Sequence, residues 1–229
     1  MERLHNGFTL EIVPGAFPLS TDSMALSGFV KLPKSASVLD LGSGCGTLGL
    51  MLCAVRNDCH ITGIELDECA HNAALDNAKA NQIENRFTCM LADLADVPSL
   101  ITPGSFSCCV TNPPYFSGGF ESKTLSAARQ ETCCTADIWM KAAAHGLKFG
   151  GDLFFVHKPD RLAQLFTLAS NLGLEPKRLR LLRHQFNGPV SLILVQCRKG
   201  AKPGLVWEDA YLHETDGTPS EYYKTIYHL

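Results

Sequence analysis

Short apolar runs alternate with longer segments of helical periodicity along the first half of the chain. Four runs have the length and composition typical of buried strands: residues 37–42, 60–66, 86–93 and 106–112. Residues 47–55 and 67–81 carry apolar side chains at helical spacing, and Asp67 stands where it can cap the second of these helices. Such an alternation predicts a mostly parallel sheet with helices on both faces.

The second half of the chain continues this pattern and closes with a hairpin. A helix is expected over residues 135–150, ending at Gly150-Gly151, followed by a strand over 151–158 and a helix over 160–171. Two further strand-like runs, 179–186 and 189–199, are separated only by Asn187-Gly188, a dipeptide that favours a tight turn. The hairpin therefore places an antiparallel strand in the sheet.

The pattern divides the chain into three parts. They are an appendage of a hairpin and a helix, a main α/β domain and a tail extension, over residues 1–34, 35–202 and 203–229. The first hairpin is expected over residues 8–19, and alternation over residues 205–213 indicates an added edge strand in the tail. Residues 113–134 form a long connection rich in Gly, Ser and Thr, and loops of this length are often functional.

Composition narrows the class of protein. Of the 229 residues 45% are hydrophobic and 19% charged, so a sizeable core can form and global disorder is excluded. The 20 Lys and Arg face 23 Asp and Glu, and the net charge of −3 excludes a uniformly basic nucleic-acid coat but not a local basic patch. No signal peptide or apolar run of about 20 residues is visible, so we expect a cytoplasmic protein.

Cysteine and histidine are frequent without indicating disulfides or a metal. The ten cysteines lie mostly in apolar segments and form no CxxC pair, so we expect reduced thiols packed as small hydrophobic side chains. The eight histidines lack the spacing of metal ligands, and no metal site is predicted.

The sharpest local feature is a glycine-rich loop, Asp40-Leu41-Gly42-Ser43-Gly44-Cys45-Gly46, between the first strand of the main domain and its helix. A doubly wound sheet binds its ligand at this point, because glycines let the backbone approach closely and the helix start offers free N–H groups. Glu65 ends the second strand about 20 residues on, where a carboxylate can accept hydrogen bonds from ribose hydroxyls.

The spacing of the loop refines the choice of cofactor. A dinucleotide fingerprint, G-x-G-x-x-G, would need a third glycine where Thr47 stands. Asp40 would repel a pyrophosphate, but it suits a cationic ligand such as S-adenosylmethionine (SAM), which carries an ammonium and a sulfonium and no phosphate. The loop therefore favours SAM, and a glycine turn without a ligand is the alternative.

A second motif, Asn112-Pro113-Pro114-Tyr115, follows the fourth strand. The two prolines end the strand and stiffen the backbone, and they leave carbonyl oxygens that no helix uses. With the amide oxygen of Asn112 they can hold both protons of an –NH2 group, so that its lone pair faces a methyl donor, while Tyr115 can stack on a planar group. The alternative is a stiff turn with an exposed tyrosine.

These motifs, with Asp93 at the end of the third strand, resemble those of class I SAM-dependent methyltransferases that modify planar amino nitrogens. The resemblance covers residues 37–199 and implies a Rossmann-like fold, a doubly wound, mostly parallel seven-stranded sheet with a C-terminal antiparallel hairpin strand. Within that superfamily the chain is most similar to bacterial tRNA adenine-N6 methyltransferases that act on valine tRNA beside the anticodon. The stretches that carry this narrower likeness are 17–22, 112–116, 128–131 and 158–162.

The resemblance implies a role for each motif residue. The implied cofactor-binding residues are Asp40, Gly42, Ser43, Gly44, Gly46, Glu65, Leu66, Asp93, Leu94, Thr21 and Asp22. Glu65 would hold the ribose and Asp93 the adenine amino group, and the N-terminal appendage, with Phe17 or Leu19, would cover the cofactor. The implied catalytic residues are Asn112, Pro113, Pro114 and Tyr115. No general base is required, because the sulfonium leaves readily and in-line positioning supplies much of the acceleration.

An RNA substrate requires a cationic surface on the protein. Basic residues cluster around the closing hairpin, and we expect RNA to contact Lys177, Arg178, Arg180, Arg183, Arg198 and Lys199. Arg178 and Arg180 alternate along one strand and should share a face. The alternative is a solvated sheet edge whose charges prevent pairing with another chain.

Other substrates allow the same chemistry. An amino group of rRNA or DNA, or the carboxamide of a glutamine in a peptide-release factor, would also fit the Asn-Pro-Pro-Tyr motif. Release-factor enzymes usually have a sizeable helical N-terminal domain, whereas only about 36 residues precede the first strand of the core here. A protein that holds the cofactor without turnover is a further alternative. We expect tRNA as the partner of a monomeric enzyme, with no obligate protein partner.

Overall fold

A computed structural model describes residues 1–114 and 135–229 of the protein. Within these ranges the strands are β1 (Glu2–Arg3), β2 (Thr9–Leu10), β3 (Ser37–Leu41), β4 (His60–Glu65), β5 (Phe87–Leu91), β6 (Phe106–Thr111), β7 (Leu147–His157), β8 (Leu174–Gln185), β9 (Val190–Lys199) and β10 (Val206–His213). The helices are α1 (Thr21–Phe29), α2 (Thr47–Val55), α3 (Glu68–Ala80), α4 (Val97–Leu100), α5 (Ala136–Gly146), α6 (Leu162–Asn171) and α7 (Glu221–Tyr227).

The main sheet has the strand order β10-β8-β9-β7-β6-β3-β4-β5 among the described residues. Its central strands from β7 to β5 are parallel, and β9 runs antiparallel to both β7 and β8. One apolar core lies between the sheet and α1, α2, α3 and α7, and a second lies between the other face and α4, α5 and α6. The predicted doubly wound sheet with an antiparallel hairpin strand is confirmed.

The sheet contains one strand more than the seven that the family resemblance implies. β10 pairs in parallel with β8, from Val206 opposite Arg178 to His213 opposite Gln185. The edge strand predicted for the tail is therefore confirmed, and the number of strands is corrected to eight within residues 1–114 and 135–229. α7 follows β10 and packs on β10 and α1, so the end of the chain returns to its beginning.

The predicted bounds of three elements are wrong, and one of them is the start of β8, which lies at Leu174 rather than at residue 179. Helix α5 ends at Gly146 rather than at Gly150-Gly151, because Leu147 is fully buried in β7 opposite Phe106. A Cβ atom at Gly146 would lie 2.8 Å from Leu39 Cδ2, so a larger residue here would have to displace this buried side chain. The N-terminal hairpin is formed by β1 and β2, which place Glu2 opposite Leu10, and not by residues 8–19.

Two asparagines, one in α3 and one just after its end, bind the N-terminal segment. Asn77 Oδ1 accepts from the Glu11 N–H and its Nδ2 donates to the Glu11 carbonyl, both at 2.8 Å. Asn81 makes the same pair of bonds with Thr9, at 2.8 and 2.7 Å. These side chains bind the backbone as a neighbouring strand would. Residues 14–17, which follow, line a cavity together with the glycine loop.

The eight cysteines in the described part of the chain are free, and six of them are buried. This agrees with the expected packing of reduced thiols as small apolar side chains. Among the helices of residues 1–114 and 135–229, none combines the length and apolar character needed to span a bilayer.

Candidate active site

Two adjoining cavities open at the carboxyl ends of β3, β4 and β6, with volumes of about 260 and 280 Å³. Both are lined by Phe17, Gly42, Gly44, Asn112, Pro113 and Pro114. The first cavity extends to Glu65, Leu66 and Leu94. The second extends to Asp22, Ser23 and Ser43. The glycine loop and the Asn-Pro-Pro segment therefore form a wall common to both cavities.

The glycine loop leaves the sheet through three left-handed residues. Gly42, Gly44 and Gly46 have φ angles of +71°, +56° and +83°, and the Gly42 N–H donates to the Ile64 carbonyl at 3.0 Å. A Cβ at Gly46 would lie 3.0 Å from Phe87 Cζ, whereas a Cβ at Gly42 or Gly44 would meet no atom within 4 Å. Gly46 is thus packed beneath the loop, and the other two glycines present bare backbone to the cavities.

Glu65 ends β4 and braces the loop. Its Oε2 accepts from the Gly44 N–H at 2.8 Å, and its Oε1 accepts from the N–H groups of Leu66 and Asp67 at 2.9 and 2.8 Å. The residue is only 9% exposed, and it lines the first cavity. Three of the four lone-pair sites of the carboxylate are used, and Oε2 keeps one that can accept a hydrogen bond from a ribose hydroxyl.

Asp40 lies behind the loop and lines neither cavity. The residue is fully buried, its Oδ2 accepts from Ser43 Oγ at 3.1 Å, and its Oδ1 has no close hydrogen-bond partner among the described residues. Burial raises the pKa of Asp40 to about 7; the Ser43 hydroxyl and the Gly49 amide lower it, and the charge of Glu65 raises it. Its predicted closeness to a ligand ammonium therefore stays a prediction, and its visible partner is Ser43.

Helix α1 contacts the side chain of Asn112. Asn112 Nδ2 donates to Ser23 Oγ at 3.2 Å, and Ser23 is 7% exposed. Pro113 and Pro114 follow without a backbone N–H, so the backbone at these two positions offers only hydrogen-bond acceptors to the cavities. The Thr111 hydroxyl donates to the Leu41 carbonyl at 2.8 Å, which holds the end of β6 against β3.

Seven of the eleven predicted cofactor residues line one of the two cavities: Asp22, Gly42, Ser43, Gly44, Glu65, Leu66 and Leu94. Asp40 and Gly46 lie behind the loop. Asp93 and Thr21 also line neither cavity. Asp93 accepts from the Ala95 N–H at 2.9 Å and caps the short helical turn that follows, and Thr21 Oγ1 forms a hydrogen bond of 2.9 Å with the Tyr227 hydroxyl. Tyr115, Phe116 and residues 128–131 lie outside the described residues.

Several residues of the site were not predicted from the sequence. Pro14, Gly15 and Ala16 line the first cavity, where the Ala16 N–H closes a turn onto the Val13 carbonyl at 3.1 Å. The Pro-Gly dipeptide is a sequence signal for this turn, which the prediction of a hairpin over residues 8–19 does not use. Ser23 carries no such local signal, because its contact with Asn112 joins positions 89 apart.

The predicted RNA-binding residues form bonds within the protein. Arg178 and Arg180 share one face of β8, as predicted; both bind Glu208 of β10, at 3.0 and 2.8 Å, and both pack on the ring of Phe29. Among the others, Arg198 binds Asp152, and Arg183 binds Asp209 and the Gly188 carbonyl. Lys177 donates to the Lys202 carbonyl, and Lys199 donates to the carbonyls of Ala144 and Leu147. Their contact with RNA stays a prediction. It concerns side chains whose charged groups already form these bonds within the protein.

The first cavity fits SAM by the chemistry of its lining. Bare glycine backbone suits the methionine part, Glu65 suits the ribose hydroxyls, and Leu41, Ile64 and Leu94 supply an apolar surface for adenine. No Arg or Lys belongs to the described lining of either cavity, which disfavours a phosphate-bearing cofactor. No group of His, Cys, Asp or Glu in residues 1–114 and 135–229 could hold a metal ion.

Known proteins resemble this chain over most of its length. Residues 22–172 match the family model of the methyltransferase small domain. A tRNA1(Val) (adenine(37)-N6)-methyltransferase from Photobacterium profundum is 29% identical over 182 residues, which are 78% of this chain and 76% of the relative. The protein of the same name from Dickeya chrysanthemi is 32% identical over 192 residues, 82% of this chain and 75% of the relative.

A solved structure with low sequence identity shows the same fold. The crystal structure of a predicted O-methyltransferase from Agrobacterium tumefaciens aligns with a TM-score of 0.76 at 18% identity, over 91% of this chain and 96% of that one. The comparisons confirm the Rossmann-like fold and the methyltransferase class that the motifs indicated. The chain belongs to the methyltransferase small domain family.

Proposed function

We propose that the protein transfers the methyl group of SAM to the N6 atom of an unpaired adenine in tRNA. One observation carries this proposal: the Asn112-Pro113-Pro114 segment is the common wall of a cavity that fits SAM and a second cavity that can receive the reacting group. The relatives named above act on adenine 37 of tRNA1(Val), which supports this nucleotide as the target.

The Asn112-Pro113-Pro114 segment forms an acceptor wall. It would orient the nucleophile, which is the adenine amino group. Asn112 Oδ1 and the Pro113 carbonyl would each accept one proton of the adenine amino group, so that the nitrogen lone pair points toward the first cavity. SAM supplies the methyl group on a positively charged sulfur when it is bound. Holding the two reactants in line accounts for much of the acceleration, and the surplus proton can leave to water after the transfer.

The first cavity would hold the donor through groups that are already fixed. Glu65 is immobilised by three backbone N–H groups, so it loses little side-chain freedom when it accepts from the ribose. Residues 14–17 pass over the same cavity, and in this proposal they cover the bound cofactor. The division into an N-terminal cover, a catalytic domain and a tail stays a prediction.

The substrate adenine must leave its stack to reach the wall. Enzymes that act on a base therefore use unpaired nucleotides or extrude the target from the helix. Tyr115, the predicted stacking residue, lies outside the described residues. Action as a monomer in the cytoplasm, where tRNA is found, stays a prediction of the sequence.

Label transfer from tritiated SAM tests the substrate class. The purified protein is incubated with unmodified transcripts of valine tRNA, with an rRNA fragment, with DNA and with a peptide-release factor. We expect label in tRNA only, recovered as N6-methyladenosine after nuclease digestion. Label in the release factor, in DNA or in rRNA would contradict the proposal and identify that molecule as the substrate.

A further inference from the structure

Ser23 makes a polar contact with the acceptor wall from outside the sheet. It lies in the first turn of α1, which Ser20 caps by accepting from the Ser23 N–H. The Ser23 hydroxyl oxygen accepts from Asn112 Nδ2 at 3.2 Å, and the residue is 7% exposed at the rim of the second cavity. A nearly buried hydroxyl therefore binds one defined end of the Asn112 amide.

The orientation of that amide decides whether it can hold an amino group. The two ends of an asparagine side chain have nearly the same shape and opposite hydrogen-bonding character. Only the oxygen end accepts from an –NH2 group; the reversed amide would place two donors face to face, which costs the hydrogen bond and the solvation of both groups. In the structure Ser23 binds the nitrogen end, so Nδ2 is held at α1 and the amide has the productive orientation.

We infer that Ser23 is a positioning residue for Asn112: by binding Nδ2 it holds the amide so that Oδ1 can accept from the substrate. This inference rests on the proposed function for its consequence in catalysis. This role of α1 is not indicated by its sequence. The hydrogen bond between Thr21 and Tyr227 ties the same first turn to α7, so the C-terminal tail supports the position of Ser23.

Three variants test the inference. Ser23→Ala removes the hydroxyl, Ser23→Thr retains it, and Ser27→Ala, one turn later on α1, is the matched control. With tRNA as substrate we expect Ser23→Ala to lower kcat roughly tenfold, the equivalent of one lost hydrogen bond, while the KM for SAM stays within about twofold. Ser23→Thr should recover most of the rate, and Ser27→Ala should match the unmodified protein. Equal kcat in Ser23→Ala and Ser27→Ala would overturn the inference.

A second readout does not depend on activity. In protein labelled with ¹⁵N-asparagine, the side-chain amide signal of Asn112 is identified by its absence in Asn112→Ala. We expect Ser23→Ala to shift this signal and to speed its hydrogen exchange, whereas Ser27→Ala leaves both unchanged. An unmoved signal in Ser23→Ala would refute the contact. If the unmodified protein does not methylate tRNA, the proposed function fails, and this measurement still decides whether Ser23 fixes Asn112.

Discussion

Replacing Glu65 by glutamine tests both roles of this residue with an almost isosteric change. The carboxylate accepts three backbone N–H groups, one from Gly44 on Oε2 and two, from Leu66 and Asp67, on Oε1. In glutamine one of these oxygens becomes an NH2 group, which cannot accept. The amide orientation that loses least keeps the pair on one side and turns its NH2 group toward the Gly44 N–H.

The structure gives the size of the effect. One hydrogen bond to a charged acceptor is lost and a buried donor is left unpaired, which together cost about 2 kcal/mol. For a chain of this size that loss lowers Tm by roughly 4–8 °C. One oxygen can no longer accept from a ribose hydroxyl, so the Kd for SAM should rise about tenfold, the equivalent of about 1.4 kcal/mol.

Thermal unfolding without ligand and calorimetric titration with SAM measure the two effects separately. The control is Glu68→Gln, an exposed residue in the first turn of α3, which should change neither. An unchanged Tm in Glu65→Gln would refute the bracing of the loop. A lowered Tm with an unchanged Kd would show that Glu65 supports the loop without binding the ribose.

Three further variants address the rest of the site. Asn112→Ala should lower methyl transfer by roughly 100-fold, because the amino group loses its alignment, while calorimetry gives a SAM affinity within about twofold; retained activity would contradict the acceptor role. The pKa of Asp40 is raised from 3.8 to about 7 in the folded protein, so the folded state keeps a proton that the unfolded chain loses at lower pH. The free energy of unfolding should therefore fall as the pH rises from about 4 to about 7, and Asp40→Asn should remove this fall in urea titrations; an equal fall in the variant would disprove the assignment. Lys177→Ala should weaken tRNA binding and reduce the slope of log K against log salt by about 1, whereas Lys141→Ala, on α5, should leave the slope unchanged; equal slopes would remove Lys177 from the RNA surface.

The location of the candidate site was predictable because it depends on local patterns. The glycine loop, Glu65 and Asn112 each end a short apolar run, and parallel strands bring such ends to one edge of the sheet. Asn187-Gly188 similarly marks the hairpin between β8 and β9. In these cases the residue type and its position in an element carry the information.

Contacts between distant segments were not predictable in the same way. The ion pairs of Arg178 and Arg180 with Glu208 depend on the parallel register of β10 against β8, which alternation within the tail does not define. The prediction that Asp40 lies near a cationic ligand depends on its charge, whereas its burial depends on how the glycine loop and α2 pack over it. The Ser23 contact requires that α1 lie beside the end of β6, a matter of tertiary packing.

The proline pair also determines which bases the site would exclude. Deamination converts adenosine to inosine, in which a carbonyl oxygen replaces the amino group. Asn112 Oδ1 and the Pro113 carbonyl would then face a lone pair in place of two N–H donors, and Pro114 has no amide proton to offer in exchange. In the proposed function an inosine at the target position is therefore excluded before any chemistry, and the atoms that orient the nucleophile also discriminate against edited RNA.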